Sequence, residues 1–334
     1  MSNIKSVLSK LEPDLKKVDA TILEFAVGKS PLIAEISNHL ISSGGKRIRP
    51  ILLILAAKLC GEKDESAHHN LAAAVELIHS ATLLHDDVVD DSDVRRGKKT
   101  ANAIWDNKAS ILVGDYLFSI AFQLMVRSKN LEILDILAKA SSVMADGEVM
   151  QLENSTNINL SQDDYLEIIF GKTAVLFEAA CQSGALISDA SRVEVEALRE
   201  FGKNLGIIFQ IVDDLLDYSA NEKVLGKDVG NDFFEGKVTL PIIFTYSKAN
   251  DLEKKIISDL FESNLFNTDQ DSEKKQRDLE NILEIMDKYK AFELSKEMAL
   301  EYRNKARENL TIFSNSAVRD DLNVILDYSL ERIF

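Results

Sequence analysis

Proline and glycine are scarce in this 334-residue chain, with 4 and 14 occurrences, and a fold built from many short strands and tight turns needs far more of both. Strand-type alternation is also missing over long stretches, so helices should dominate and strand content should be small or nil. Only two cysteines occur, Cys60 and Cys181; both sit in apolar helical runs and read as buried free thiols of a cytosolic protein, which excludes a disulfide scaffold. Long apolar runs are absent too. Ile51 to Ala57 is far too short to span a bilayer, and the N-terminal stretch lacks an apolar signal core, so a cytoplasmic location is expected. Positive charge is in deficit, with 39 Lys and Arg against 55 Asp and Glu for a formal charge of -16. Broad binding to nucleic acid or to an anionic membrane surface is thereby excluded, and any local basic cluster becomes informative.

What remains is 46% hydrophobic and 28% charged, enough apolar content for a substantial core. No Pro/Gly/Ser-rich linker divides the chain, so residues 1–334 are read as a single all-α domain. Helical periodicity predicts segments over 2–26, 30–42, 67–90, 109–127, 131–151, 162–184, 191–218, 239–260, 277–290, 293–313 and 317–332, with Pro50 in a first helical turn. Residues 262–275 read as a polar surface connection.

Two predicted helices end in the same acidic pattern, Asp86-Asp87-Val88-Val89-Asp90 and Asp213-Asp214-Leu215-Leu216-Asp217. In each, the outer acids are four residues apart and lie one turn apart on one helix face. Such a cluster is costly by itself: two ionised carboxylates about 4 Å apart repel by roughly 4 kcal/mol at an effective dielectric near 20, and the negative end of the helix dipole adds to that. A divalent cation relieves the repulsion. Oxygen-only ligation beside substrate phosphates suits magnesium, whereas a thiolate-poor neighbourhood with only His85 adjoining argues against a transition metal. One cluster alone also fits a solvated helix end. Two copies, each preceded by apolar residues, favour a site.

Against the acidic background stand Lys46 and Arg49 after a glycine pair, Arg95 and Arg96 after the first acidic cluster, and Lys172, Lys227 and Lys237 each following a glycine. Glycine permits close backbone approach and the cations supply charge-assisted bonds to phosphate oxygens. Each lysine alone reads as a surface residue; together with two metal clusters they suggest a site for two diphosphates.

The segments GGKRIRP at 44–50, HSATLLHDDVVDDSDVRRG at 79–97, GDYLF at 114–118, GKT at 171–173, FQIVDDLLD at 209–217 and GKDVGNDFFEGKVTLP at 226–241 closely resemble the trans-type polyprenyl diphosphate synthases over essentially the whole chain. The resemblance implies an isoprenoid-synthase helical bundle with a central apolar cavity, a homodimer, and about three magnesium ions per active site. It implies that Asp86, Asp87, Asp90, Asp213, Asp214 and Asp217 bind magnesium and an allylic diphosphate, with Arg95 on that diphosphate. Lys46, Arg49, His79 and Arg96 would bind isopentenyl diphosphate. Lys172, Thr173, Gln210 and Lys227 would surround the allylic diphosphate and nascent cation, and Lys237 would belong to a loop closing over the second cluster. His79 and Gln210 alone also fit a core histidine and a buried amide.

The chemistry so implied is ionisation of an allylic diphosphate, attack by the double bond of isopentenyl diphosphate, and proton loss, with the released diphosphate as acceptor. One helical turn rises about 5.4 Å, close to one extended isoprene unit, so side chains along a helix act as a ruler. Upstream of Asp86 the turn holds Thr82 and Ala81, neither bulky, then Ile78 and Val75; short-chain members would carry Phe or Tyr at 81 or 82. A long-chain product is expected, octaprenyl as the single best choice within heptaprenyl to decaprenyl, serving as a quinone side chain. Phe118, Phe122 or Met125 are candidates for the floor, or simply core. The competing readings are a non-catalytic subunit of a heteromeric synthase and a terpene cyclase. Membrane contact is expected to be transient at most.

Overall fold

In the computed structural model the described residues are 3–26, 28–42, 45–62, 65–95, 97–218, 229–266 and 272–332. Among them the expected helical architecture holds. Helices α1 (Ile4–Phe25), α2 (Pro31–Ser42), α3 (Ile48–Leu59) and α4 (Glu65–Val89) precede a two-strand hairpin of Val94–Arg95 and Lys98–Lys99. There follow α5 (Ala101–Trp105), α6 (Asn107–Arg127), α7 (Leu131–Glu153), α8 (Gln162–Ile169), α9 (Val175–Ile187) and α10 (Arg192–Asp217). The chain finishes through α11 (Asn231–Phe234), α12 (Leu240–Lys248), α13 (Asp251–Phe266), α14 (Ser272–Lys288), α15 (Ala291–Asn309) and α16 (Ala317–Glu331).

The two most apolar helices lie at the centre. In α3 every residue from Pro50 to Ala57 is buried, and α9 is buried on nearly all sides, as a helix without a polar face must be. Around this pair, α4 packs chiefly on α6 and α3, and α10 packs on α9 and α15. Outer helices show one apolar stripe instead. On α1 the stripe is Val7, Leu11, Val18 and Ile22, with Asp14 inserted in it. A carboxylate there needs partners: Lys58 Nζ donates to Asp14 Oδ2 at 2.8 Å, and His69 Nε2 lies 2.9 Å from Oδ1. This network ties α1 to α3 and α4. Burial works against the Asp14 charge, but the Lys58 and His69 hydrogen bonds outweigh it and hold the carboxyl below its ordinary pKa.

Several expected boundaries move. The helix expected over 239–260 is two helices, because Asn250 Oδ1 accepts from Glu253 N at 3.0 Å while Glu253 Oε2 accepts from Asn250 N, a reciprocal cap that starts α13 afresh. The polar connection expected over 262–275 is largely helical, with α13 running to Phe266 and α14 starting at Ser272. The helix expected from 109 starts two residues earlier, where Asp106 accepts from Ala109 N, and short α5 precedes it. Helix α6 is long and apolar enough to cross a membrane by length and composition, yet half of that window is buried in the bundle, as suits a core helix packed on α4.

Candidate active site

Helix α4 delivers the first acidic cluster by ending abruptly. Asp91 adopts a left-handed φ of 49°, Ser92 N donates to Asp87 O at 2.9 Å, and Asn102 Nδ2 caps the same carbonyl at 3.1 Å. Within the cluster the three acids divide. Asp86 and Asp90 line a central cavity of about 840 Å³. Asp87 is buried and accepts from Arg95 Nε at 2.7 Å, so Arg95, on the hairpin, is held beside the cluster. Burial, reinforced by Glu148, pushes the Asp86 carboxyl up to about 7, against the pull of Lys172.

Helix α10 delivers the second cluster to the same cavity, which Asp213, Asp214 and Asp217 all line. Again the middle acid is anchored: Tyr165 OH donates to Asp214 Oδ2 at 2.6 Å and Gln210 Nε2 donates to Oδ1 at 2.7 Å. Burial and the nearby Asp232 raise the Asp214 pKa well above the carboxylate range. Thr173 Oγ1 in turn donates to Gln210 Oε1 at 2.7 Å, which chains Thr173, Gln210 and Asp214 together. The segment after α10 returns onto the cluster, where Asp217 Oδ2 accepts from Asp232 N at 3.0 Å.

Lys172 and Thr173 owe their position to a break in helical winding. Phe170–Ala174 forms a π-turn, in which Val175 N donates to Phe170 O, and it widens the helix between α8 and α9. Gly147 on α7 and Gly171 on the turn touch backbone to backbone; a Cβ on Gly147 would lie 2.6 Å from Lys172 N. From this turn Lys172 Nζ reaches Glu148 Oε1 at 3.0 Å.

Cations line the rest of the wall. Lys237 Nζ spans from the second cluster's loop to Asp90 Oδ1 at 3.3 Å and Glu235 Oε2 at 2.6 Å. Burial opposes its charge, but Asp232, Asp90 and Glu235 outweigh that and hold it above the usual lysine range. Lys46, Arg49 and His79 all line the cavity; Lys46 donates to Tyr328 OH and the Arg49 guanidinium sits 4.6 Å above the Phe177 ring. The structure thus gathers Lys46, Arg49, His79, Asp86, Asp90, Arg95, Lys172, Thr173, Gln210, Asp213, Asp214, Asp217 and Lys237 around one space. Arg96 and Lys227 lie outside the described residues.

The candidate ruler divides. Thr82 lines the cavity, whereas Ala81 and Ile78 are fully buried and lie outside its lining. Phe118 is half-buried and meets Phe122 edge to face at 5.3 Å; Phe122 is 36% exposed, and Met125 is buried in the core. Other residues in the site were not singled out from sequence. Arg332, just past α16, donates from Nη1 to Asp213 Oδ1 at 2.7 Å and lies over the Phe209 ring. Arg47, Glu76, Tyr165 and Asp232 also line the cavity, and Glu148 and Tyr328 stand behind it on Lys172 and Lys46; Arg47 and Asp232 fall inside the quoted segments, whereas no local pattern marks the other four.

The donor set fits a hard divalent cation. Asp86, Asp90, Asp213 and Asp217 offer only oxygen to the cavity, and side-chain cations already lean on the outer acid of each cluster, Lys237 on Asp90 and Arg332 on Asp213.

The family model described as polyprenyl synthetase matches residues 30–282. Octaprenyl diphosphate synthase of Haemophilus influenzae is 38% identical over 332 residues, covering 99% of this chain and 98% of the relative. A crystal structure of a decaprenyl diphosphate synthase from Rhodobacter capsulatus superposes with a TM-score of 0.92 at 42% identity, covering 99% of each chain. A polyprenyl synthase from Caulobacter crescentus CB15, complexed with calcium and isoprenyl diphosphate, superposes with a TM-score of 0.91 at 39% identity, covering 98% of this chain and 97% of that one.

Proposed function

The chain belongs to the polyprenyl synthetase family, and from that premise we propose that it condenses isopentenyl diphosphate repeatedly onto farnesyl or geranylgeranyl diphosphate to make a long-chain all-trans polyprenyl diphosphate. The carrying observation is the convergence of both acidic clusters and the basic side chains on one cavity. Asp86, Asp90, Asp213 and Asp217 would hold magnesium, which would supply positive charge to offset that of a departing allylic diphosphate. Asp87 and Asp214 act from behind, fixed by Arg95 and by Tyr165 with Gln210. Lys172, Arg95 and Lys237 hold the leaving diphosphate, and the Thr173–Gln210 pair orients polar groups toward the developing cation. Lys46, Arg49 and His79 hold isopentenyl diphosphate across the cavity from the departing group.

Octaprenyl diphosphate is the product proposed, in keeping with an octaprenyl synthase at 38% identity and a small Thr82 where the cavity meets α4. The intact cavity argues against a non-catalytic subunit, and relatives that are prenyl synthases argue against a cyclase. A homodimer is proposed because Leu112 and Val126 on α6 and Val149 and Leu152 on α7 present large exposed apolar side chains. The test is incubation with labelled isopentenyl diphosphate, magnesium and either allylic primer, followed by product sizing. Forty-carbon product with magnesium and none after chelation is expected; a cyclised hydrocarbon without isopentenyl consumption would overturn the reading.

A further inference from the structure

We infer that Arg47 and Glu76 form a positioning pair that sets the geometry of the isopentenyl diphosphate subsite, an inference that rests on the function proposed above. Arg47 sits between Lys46 and Arg49 and caps the start of α3 in the left-handed region, at φ 51° and ψ 37°, without a side-chain capping bond. That conformation is unfavourable for a residue with a Cβ and persists only where surroundings impose it. The surroundings are acidic. The Arg47 guanidinium bonds Glu76 on α4 and lies 3.4 Å from Asp19 on α1, with the Arg47 and Glu76 side chains only 13% and 8% exposed.

Glu76 precedes His79 by three residues, one turn along the same helix face, and both line the cavity. The ion pair therefore fastens the basic loop to the turn of α4 that carries His79. With the backbone turned through the left-handed region at Arg47, Lys46 reaches Tyr328 and Arg49 lies over Phe177. A buried ion pair is a poor way to gain stability, since well-packed apolar residues do as well; a directional bond that fixes two phosphate-binding cations relative to a histidine is what it provides. It also cancels the Glu76 charge, which otherwise would face an incoming diphosphate.

The experiment uses the full chain with magnesium, an allylic diphosphate and isopentenyl diphosphate, and reads kcat and both KM values for Glu76→Gln, Arg47→Gly and the double variant, with thermal melts as the check on folding. Arg47→Gly decides the matter, because glycine accepts the left-handed turn while deleting the guanidinium. The expected result is a rise in the isopentenyl KM of about 10- to 100-fold in each single variant, with kcat and the allylic KM nearly unchanged. The double variant should be no worse than the poorer single, as coupled partners require. Asp19→Asn, removing a longer and more exposed contact, should shift that KM by less than about twofold. A wild-type isopentenyl KM in Arg47→Gly would overturn the inference, as would equal rises in both KM values. If the wild-type chain consumed no isopentenyl diphosphate at all, the proposed function itself would fall, and this role with it.

Discussion

Gly147→Ala tests the claim that the π-turn places Lys172 and Thr173. The added methyl would sit 2.6 Å from Lys172 N, 2.8 Å from Gly171 C and 2.9 Å from Gly171 Cα. All three are backbone atoms, so no rotamer change relieves the contact, and α7 and the turn must separate by several tenths of an ångström. Overpacking of this kind costs about 1–3 kcal/mol, a melting-temperature loss of roughly 2–4 °C per kcal/mol for a chain somewhat smaller than this one. The movement falls on Lys172 and on Glu148, next to the mutated residue, so their 3.0 Å pair is displaced from both ends. Misplacing a substrate-positioning group by about 1 Å can cost on the order of 100-fold in rate, and kcat should fall by about that factor. Gly61→Ala is the comparator: its φ is +77° with no atom within 4 Å of the new Cβ, so it should lose about 1 kcal/mol from backbone strain and keep its kcat. Wild-type melting and wild-type kcat in Gly147→Ala would refute the reasoning, and an equal kcat loss in Gly61→Ala would show that general destabilisation is responsible.

Replacing Asp213 or Asp86 by Asn should reduce turnover by at least about 100-fold at saturating substrates, because each removes a carboxylate from the cavity wall where the proposed function needs a cation held; a kinetic series at rising magnesium would show whether added metal restores the loss. Asp14→Asn should remove an acid-sensitive part of stability. Since the folded Asp14 pKa is lowered, its contribution is complete above the ordinary carboxylate value near 4 and is lost as pH falls through the lowered folded value. Urea melts between about pH 2 and 5 should therefore show a shallower acid loss in the variant, and parallel curves would contradict the Lys58–Asp14–His69 network. Ala81→Phe, at a fully buried position one residue from cavity-lining Thr82, should shorten the product, read by chromatography of the dephosphorylated chains; unchanged length would remove Ala81 from the ruler.

Helical content, the two acid-bearing helices and the basic segments could be read directly from the chain, because each depends on local spacing: periodicity of apolar residues, and acids four apart on one helix face. The duplicated Asp-Asp-x-x-Asp pattern favoured a cation site, and only the resemblance to a family implied that the two clusters act together. Spacing could not assign different duties within a cluster. Asp87 and Asp214 are buried and anchored because Arg95, Tyr165 and Gln210 reach them, and of the six acids only Asp87 stands outside the cavity lining. Nor could it show where helical winding changes. Phe170–Ala174 lies within a continuous apolar periodicity that reads as one helix, and its wider turn coincides with the approach of Gly147 to Gly171.

Pairs formed between distant parts of the chain were the least legible. Arg332 meets Asp213, Lys46 meets Tyr328, and Arg47 meets Glu76, with nothing in the intervening residues to announce them. The sequence by itself determined which elements form and which chemical groups they carry, since those follow from short-range sterics and helical repeat. Only the tertiary structure decided which carboxylates face the substrate and which cations hold them, because burial and charge pairing depend on neighbours that packing, not chain order, brings together.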